Sequence, residues 1–269
     1  MSWLSYEFMR NALLAILLIS PVFALFGTVV IRDKLSFFSD ILGHSALTGV
    51  AVSIFLGLGS PMWLMVMLAV MISVFISILR WTNRGAIDSI LGVMFSFVTS
   101  LGVVLLSRGG GFSKFTSYLV GDIVIVSRDQ IIVLALLFCV ALLYWVFSNN
   151  WLVLISVNPL LARSRGVYVF FSETLFAVLL AVIVTLAIPL VGVLVVNSLL
   201  ILPAASARNI TRTVRGYTIV SIVISIFSGI MGLLISFYWS SATGATIALV
   251  GCGVYLLSMV LSVFTYRLR

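Results

Sequence analysis

Residues 167–207 read VYVFFSETLFAVLLAVIVTLAIPLVGVLVVNSLLILPAASA, and this stretch decides the class of fold. Glu173 is its single charged residue. At helical rise the stretch would extend for about 60 Å, twice the ~30 Å hydrocarbon core of a bilayer. Pro189 and Gly192 offer the natural break. The stretch therefore predicts two helical crossings, or one crossing followed by a piece that partly re-enters the membrane.

The rest of the chain has the same apolar character. Of its 269 residues, 63% are hydrophobic and only 8% are charged, and the mean hydropathy is +1.33. A soluble domain cannot bury so much apolar surface, so the bilayer must be the solvent. Long continuous apolar runs favour helices over a barrel, since each helix satisfies its own backbone groups in hydrocarbon. We predict an all-α, polytopic transmembrane helix bundle of eight or nine spans, forming a single transmembrane domain over residues 1–269.

Basic residues give that bundle an orientation. The nine predicted spans cover residues 8–31, 37–58, 62–80, 88–107, 130–147, 169–188, 191–207, 217–239 and 246–265. With these spans, 11 of the 15 Lys and Arg residues lie on the side of Arg32 and Lys34, and four lie on the other. The positive-inside rule then places the basic side in the cytoplasm. The net charge of +8 is too scattered to indicate nucleic-acid binding, so membrane lipid is the expected surrounding.

A polar face runs along the second predicted span. Ser36, Asp40, His44 and Thr48 recur every four residues and therefore share one side of the helix. His44 is the only histidine in the chain. If the helix enters from the cytoplasm near Leu35, His44 lies roughly 13 Å deep, near the middle of the bilayer.

This face predicts a path for a divalent metal ion. A carboxylate and an imidazole one turn apart, here Asp40 and His44, suit divalent transition metals. The alternative is a buried hydrogen bond between them that holds helices together. Two ligands do not complete a metal site, so we predict Asp88 as a third, although it could equally be the N-terminal cap of its own helix. Whether Asp122 or Glu173 joins the path stays open.

A short helix is predicted between two later spans, at residues 158–166. Asn158 suits the N-cap, Pro159 the first helical position and Gly166 the position after the C-cap. Because an isolated two-turn helix is marginal in water, we expect it to pack on something through Leu160 and Leu161. The alternative is an amphipathic turn on the membrane surface.

No sequence motif indicates an enzyme or a nucleotide site. The glycine-rich piece at residues 109–114 lacks the spacing of a phosphate-binding loop. ATP-driven transport would therefore need a separate ATPase subunit. A lone histidine next to an aspartate, with no placed nucleophile, is weak support for catalysis.

Five separated motifs resemble the zinc/manganese/iron ABC permease family, the membrane subunits of metal importers. They lie at residues 35–51 (LSFFSDILGHSALTGVA), 88–96, 117–123, 191–208 and 241–247, in the family's order and over nearly the whole chain. The chain departs from the family in two places. Thr48 stands where members commonly have proline, and Asn158 stands where they commonly have aspartate.

The resemblance implies a function and partners. The chain would be the membrane-spanning permease subunit of an ATP-binding-cassette importer in the cytoplasmic (inner) membrane. It would carry zinc by preference, then manganese or iron, as a transported ion and without a permanently bound cofactor. It would form a homodimer, with cytoplasmic ABC ATPase subunits and an extracytoplasmic metal-binding protein. The cytoplasmic coupling helix at 158–166 would contact the ATPase through Asn158, Pro159, Leu160, Leu161 and Arg163.

Two other functions are compatible with the residues alone. In a proton-coupled secondary metal carrier, Asp40 and His44 would relay protons. In a membrane-embedded enzyme, the purified chain would turn over a substrate by itself.

Overall fold

The computed structural model of the chain describes residues 5–58, 61–83, 87–109, 123 and 126–267. Within these ranges it contains ten α-helices and no strand. They are α1 Glu7–Arg32, α2 Ser36–Phe55, α3 Met62–Thr82, α4 Ile87–Gly109, α5 Arg128–Val157, α6 Pro159–Ser164, α7 Val169–Val191, α8 Val193–Ile210, α9 Val214–Trp239 and α10 Thr243–Arg267. All except α6 are long and apolar enough to cross a membrane, which makes nine candidate spans among the described residues. This confirms the predicted all-α, multi-span class.

The long apolar stretch is divided where the sequence predicted. Gly192 alone separates α7 from α8, with φ 86° and ψ 157°. A positive φ of this size favours glycine because a side chain would be strained there. Pro189 lies inside the last turn of α7. Helix α8 has 18 residues, about 27 Å of rise, so its length suits a crossing and favours the nine-span version.

One helix end lies far from its predicted position, and the ends of the other predicted spans differ by three residues or fewer. Helix α5 continues to Val157, ten residues beyond the predicted end at 147. Its polar run of Ser148, Asn149 and Asn150 stays helical, although these residues alone suggested a loop. Helix α10 begins at Thr243, three residues before the predicted start. Of the motif at residues 117–123, all but Ile123 lies outside the described residues.

The helices fall into two compact units, and the first comprises Met1–Lys34, Val120–Trp145 and Leu190–Arg269. In it α1, α8, α9 and α10 pack against one another. Hydroxyl groups one turn apart on α9 donate to carbonyl oxygens one turn apart on α1. The pairs are Tyr217 to Thr28 (3.4 Å), Ser221 to Ala24 (3.4 Å) and Ser225 to Ser20 (3.0 Å). Since the numbers fall on α1 as they rise on α9, the two helices run antiparallel.

Glycines let this first unit pack at backbone distance. A Cβ on Gly27 of α1 would clash with the backbone oxygen of Leu200 on α8. A Cβ on Gly232 of α9 would lie 2.5 Å from the Cα of Ile247 on α10. Close approach through small residues is how membrane helices gain contact when lipid competes for their apolar side chains.

The second unit comprises Leu35–Leu119 and Val146–Pro189. It holds α2, α3, α4, the end of α5, α6 and most of α7. Helix α2 packs against both α3 and α4. On the α3 side, a Cβ at Gly49 would lie 2.6 Å from the Cα of Met65. The single-domain assignment over residues 1–269 stays a prediction.

Candidate functional site

The polar face of α2 is directed towards α4. Thr48, near the middle of the helix, is buried, and its hydroxyl donates a 2.8 Å hydrogen bond to the carbonyl oxygen of Val98. One turn earlier, the ring of His44 meets the ring of Phe95 edge to face, with centroids 5.0 Å apart and an interplanar angle of 87°. Two successive turns of the face therefore contact the same neighbouring helix.

These contacts also set the register of the two helices. Residues 44 and 48 of α2 match residues 95 and 98 of α4, so the helices run parallel. Asp40 lies one turn before His44, or about 6 Å along the axis. Asp88 lies seven residues before Phe95, or about 10 Å along its axis. Measured along the two parallel helices, Asp88 therefore lies about one turn closer to their N-terminal ends than Asp40 does.

The predicted metal residues are brought together only in part. Asp40 and His44 are both half-buried on one face, whereas Asp88 is exposed in the first turn of α4. Among the described residues, no three His, Cys, Asp or Glu side chains lie close enough to hold a metal ion. Glu173 is half-buried on α7, and Asp122 lies outside the described residues. The role of Asp88 as a ligand therefore stays a prediction.

What this face can do chemically follows from its composition. A half-buried carboxylate and imidazole supply two ligand types that divalent transition metals accept. Water or carbonyl oxygens would have to complete the coordination of an ion held here. Such partial coordination suits an ion that must leave again, because a full set of protein ligands would hold it in place.

The short helix α6 is capped at its start as predicted. Asn158 has extended backbone geometry (φ −154°, ψ 103°). Its side-chain oxygen accepts hydrogen bonds from the amides of Leu160 and Leu161, at 3.0 and 3.1 Å. Pro159 occupies the first helical position, where its missing N–H costs nothing.

The end of α6 is closed just as locally. The Gly166 amide donates to the carbonyl of Arg163 at 2.9 Å, and the Val167 amide donates to that of Ala162 at 3.1 Å. Together with the φ of 80° at Gly166, these are the two hydrogen bonds of a Schellman motif. Ala162 is fully buried with Ile155 against Val167. Ala162 therefore anchors the helix within the chain, a residue that the sequence analysis missed.

Leu160 and Leu161, through which α6 was expected to pack on something, face outwards, and their contact with an ATPase stays a prediction. Leu160 is 73% exposed and Leu161 is 44% exposed. The guanidinium carbon of Arg163 lies 4.7 Å from the ring centroid of Trp81, at the end of α3, and Trp81 contacts Phe170. Within the chain, Ala162 is the residue that anchors α6. The Trp81 contact also escaped the sequence analysis, since no local pattern links residues so far apart.

In the part of the chain that the structure describes, nine candidate spans, one of them with a half-buried polar face, define a multi-pass membrane protein. Residues 5–262 match the family described as the ABC 3 transport family, and the chain belongs to that family. Its members are transport subunits rather than catalytic enzymes. The resemblance found in the five motifs is thereby confirmed.

Curated relatives align over nearly the whole chain. The high-affinity zinc uptake system membrane protein ZnuB of Haemophilus influenzae is 29% identical, over 94% of this chain and 97% of that protein. The manganese import system permease protein ScaB of Streptococcus gordonii is 27% identical, over 94% and 91%. Among solved structures, PsaBC from Streptococcus pneumoniae in complex with Fab has a chain with a TM-score of 0.81 and 24% identity, covering 95% of this chain and 92% of that one. That structural likeness shows that the fold is shared.

Proposed function

We propose that the chain is the membrane-spanning permease subunit of an ATP-binding-cassette importer for a divalent metal ion, with zinc preferred and manganese or iron next. The observation that carries this proposal is the pair Asp40 and His44. They are half-buried on one face of a candidate span, in a chain of a transport family. A carboxylate at membrane depth is costly unless it faces a cavity or a partner, so its presence favours an ion path.

Asp40 and His44 would replace water molecules in the coordination shell of the ion. A divalent ion sheds hydration as it enters the low-dielectric part of the membrane, and Asp40 would offset its charge there. His44 would bind through a neutral ring nitrogen, while its ring stays oriented by Phe95. We propose Asp88, about one turn nearer the helix starts, as the next carboxylate that the ion meets rather than as a simultaneous ligand.

Helix α6 would couple the permease to a cytoplasmic ABC ATPase. Its two ends are closed by hydrogen bonds and its inner side is anchored by Ala162. The outward side offers Leu160 and Leu161 to a partner, beside the capping pair Asn158 and Pro159. Arg163, held over Trp81, would keep α6 at a fixed angle to α3.

The same proposal includes the remaining partners and the location. An extracytoplasmic metal-binding protein would deliver the ion, the permease would act as a homodimer, and the complex would lie in the cytoplasmic (inner) membrane. No permanently bound cofactor is needed, because the metal is the cargo. Zinc is placed first because the aligned relatives include a zinc uptake protein, although a manganese permease aligns over a similar length. Imidazole and carboxylate ligands accept both metals.

Reconstitution tests the proposal directly. The chain, purified with its co-expressed ATPase, would be placed in liposomes, and ATP-dependent entry of Zn²⁺, Mn²⁺ and Fe²⁺ would be measured with each metal alone. We expect Asp40→Asn to reduce uptake by roughly a hundredfold, because it removes the charge that offsets the ion while keeping the side chain's shape.

The matched control is Asp129→Asn, the same change at an exposed carboxylate in the first turn of α5. We expect uptake within about twofold of the parent, since an exposed charge contributes little. Normal uptake by Asp40→Asn would leave only a structural role for the pair. Uptake that continues without ATP and stops when the proton gradient is removed would instead identify a secondary carrier.

A further inference from the structure

A basic cavity lies in the first unit. The ends of α1 and α8 and the start of α9 border this open cavity of about 230 Å³. Arg32, Arg208 and Arg212 line it, together with Thr213 and Tyr217. None of its described lining residues is Asp or Glu. Since a water molecule in liquid takes up about 30 Å³, the cavity has room for an anion and some water.

The positive charge in this cavity is incompletely balanced within the described part of the chain. The Nε and Nη2 atoms of Arg32 are buried without a hydrogen-bond partner there. Its ion-pair partner is Asp33, whose Oδ1 lies 3.7 Å from Nε. Arg208 donates from Nη1 to the carbonyl oxygen of Ile31 at 3.3 Å. This hydrogen bond holds the guanidinium group of Arg208 next to the residue that precedes Arg32. Among the described residues, Asp33 is thus the one carboxylate paired with an arginine of the cavity lining.

The start of α9 adds to this positive potential. Its N-cap Thr213 accepts a hydrogen bond from the Gly216 amide at 3.1 Å. The first turn contains no acidic residue and carries Arg215 instead. The N-terminus of a helix attracts anions through its free amides and its dipole, so arginines at this end are unfavourable unless an anion joins them. A bound anion would relieve the repulsion and offer acceptors to the buried nitrogens of Arg32.

We propose that this cavity binds a phosphate group. Guanidinium forks match the geometry of phosphate oxygens, and helix starts bind the same group. Free phosphate and a phospholipid headgroup share this chemistry. The headgroup is the favoured source, because three candidate spans begin or end at the cavity and the ends of membrane-spanning helices are expected near lipid headgroups. An anionic lipid held there would join the ends of α1 and α8 to the start of α9.

The test uses the purified full-length chain in a neutral detergent at constant ionic strength. Thermal unfolding would be followed while phosphatidylglycerol, phosphatidylcholine or sodium phosphate is added in turn. We expect saturable stabilisation by phosphatidylglycerol and less by phosphatidylcholine, whose cation next to the phosphate is repelled by the arginines. In Arg212→Gln the concentration for half-stabilisation should rise roughly tenfold, as for the loss of one charge-assisted contact.

Two further variants keep the result interpretable. Arg32→Gln should raise the concentration for half-stabilisation by a similar factor. Because Arg212 is exposed, Arg212→Gln is expected to fold normally even if Arg32→Gln does not. Arg215→Gln is the matched control. It makes the same change three residues later in the chain, outside the cavity lining, and should shift the concentration for half-stabilisation by less than about twofold.

The outcomes separate the sources. Stabilisation by phosphatidylglycerol alone identifies a lipid headgroup, and stabilisation by sodium phosphate as well identifies a site for free phosphate. No response to either ligand would overturn the proposal and leave an acidic partner protein as the occupant. Equal losses in Arg212→Gln and Arg215→Gln would also overturn it, since diffuse attraction by the basic surface would then explain the binding.

Discussion

Two candidate functional regions of this chain, helix α6 and the polar face of α2, are completed in opposite ways. Helix α6 is closed by hydrogen bonds within residues 158–167, from the Asn158 cap to the Val167 amide. The α2 face is completed by another helix, since Thr48 bonds to Val98, 50 residues later in the chain. Local chemistry therefore determines the first region, and helix packing determines the second.

The same contrast separates what the two regions can do. Helix α6 satisfies its own backbone and turns apolar side chains outwards, which suits a rigid docking surface. The α2 face places Asp40 and His44 side by side without a third acidic or imidazole ligand among the described residues, which suits a passing ion. If these interpretations are correct, damage to each region should stop transport at a different step.

The largest expected effect comes from His44→Phe. The substitution keeps an aromatic ring against Phe95 and removes only the ligand nitrogens. Metal uptake by the reconstituted complex should fall by roughly a hundredfold, because the ion would lose a ligand inside the membrane. The unfolding temperature of the purified chain should stay within about 3 °C, since the ring contact remains.

Phe95→Leu is the reciprocal change. It removes the ring contact and keeps the imidazole, so it should lower stability by about 1 kcal/mol and reduce uptake by less than roughly tenfold. Uptake that survives His44→Phe but fails in Phe95→Leu would reverse the interpretation and make His44 a packing residue.

A smaller effect is expected from replacing both outward leucines of α6 by aspartate. Leu160→Asp with Leu161→Asp should weaken ATPase association by more than about tenfold, because an apolar contact would have to bury charge. Metal binding by the permease alone should not change, which distinguishes this variant from His44→Phe. Co-purification with the ATPase, together with uptake, provides the measurement.

Ser164→Asp serves as the control for added charge on the same helix, because Ser164 is exposed and is not one of the proposed contact residues. It should retain ATPase association within about threefold, as expected for an exposed charge. If the double leucine variant associates and transports normally, α6 is only a turn at the membrane surface.

The sequence predicted best those features that neighbouring residues determine. Both caps of α6 were correct, because Asn158, Pro159 and Gly166 act on backbone groups within a few residues of themselves. The break at Gly192 was correct for the same reason. Helix α5 was predicted too short, because the asparagines at 149 and 150 favour a turn only when nothing else holds the helix.

Features that depend on another helix could not be predicted. The pattern along α2 showed that Asp40 and His44 share a face, but not that Phe95 and Val98 would meet it. The leucines of α6 were expected to pack on something, but sequence alone does not distinguish an anchor within the chain from a surface for a partner. Val167 after Gly166 was the one available hint that the inner contact lies at Ala162.

The last pair of variants tests whether α2 depends on its neighbour. A Cβ on Gly102 of α4 would lie 2.7 Å from the hydroxyl oxygen of Thr48, the group that bonds to Val98. Gly102→Ala should therefore destabilise the chain by about 1–3 kcal/mol, as overpacking does. Thr48→Ala should cost only about 0.6 kcal/mol, the average for a hydrogen bond between membrane helices.

The double variant shows whether the cost of Gly102→Ala comes from its contact with Thr48 or from a change within α4 itself. Without the hydroxyl, the next atoms of residue 48 lie 3.5 Å or more from the new Cβ, an ordinary contact distance. Gly102→Ala should then cost much less in the Thr48→Ala background than in the parent, with a coupling of about 1 kcal/mol in a double-mutant cycle of detergent unfolding free energies. Costs that simply add would mean that the two helices do not meet here as closely as 2.7 Å implies. The register that places Asp40 one turn from Asp88 would then have to be redrawn.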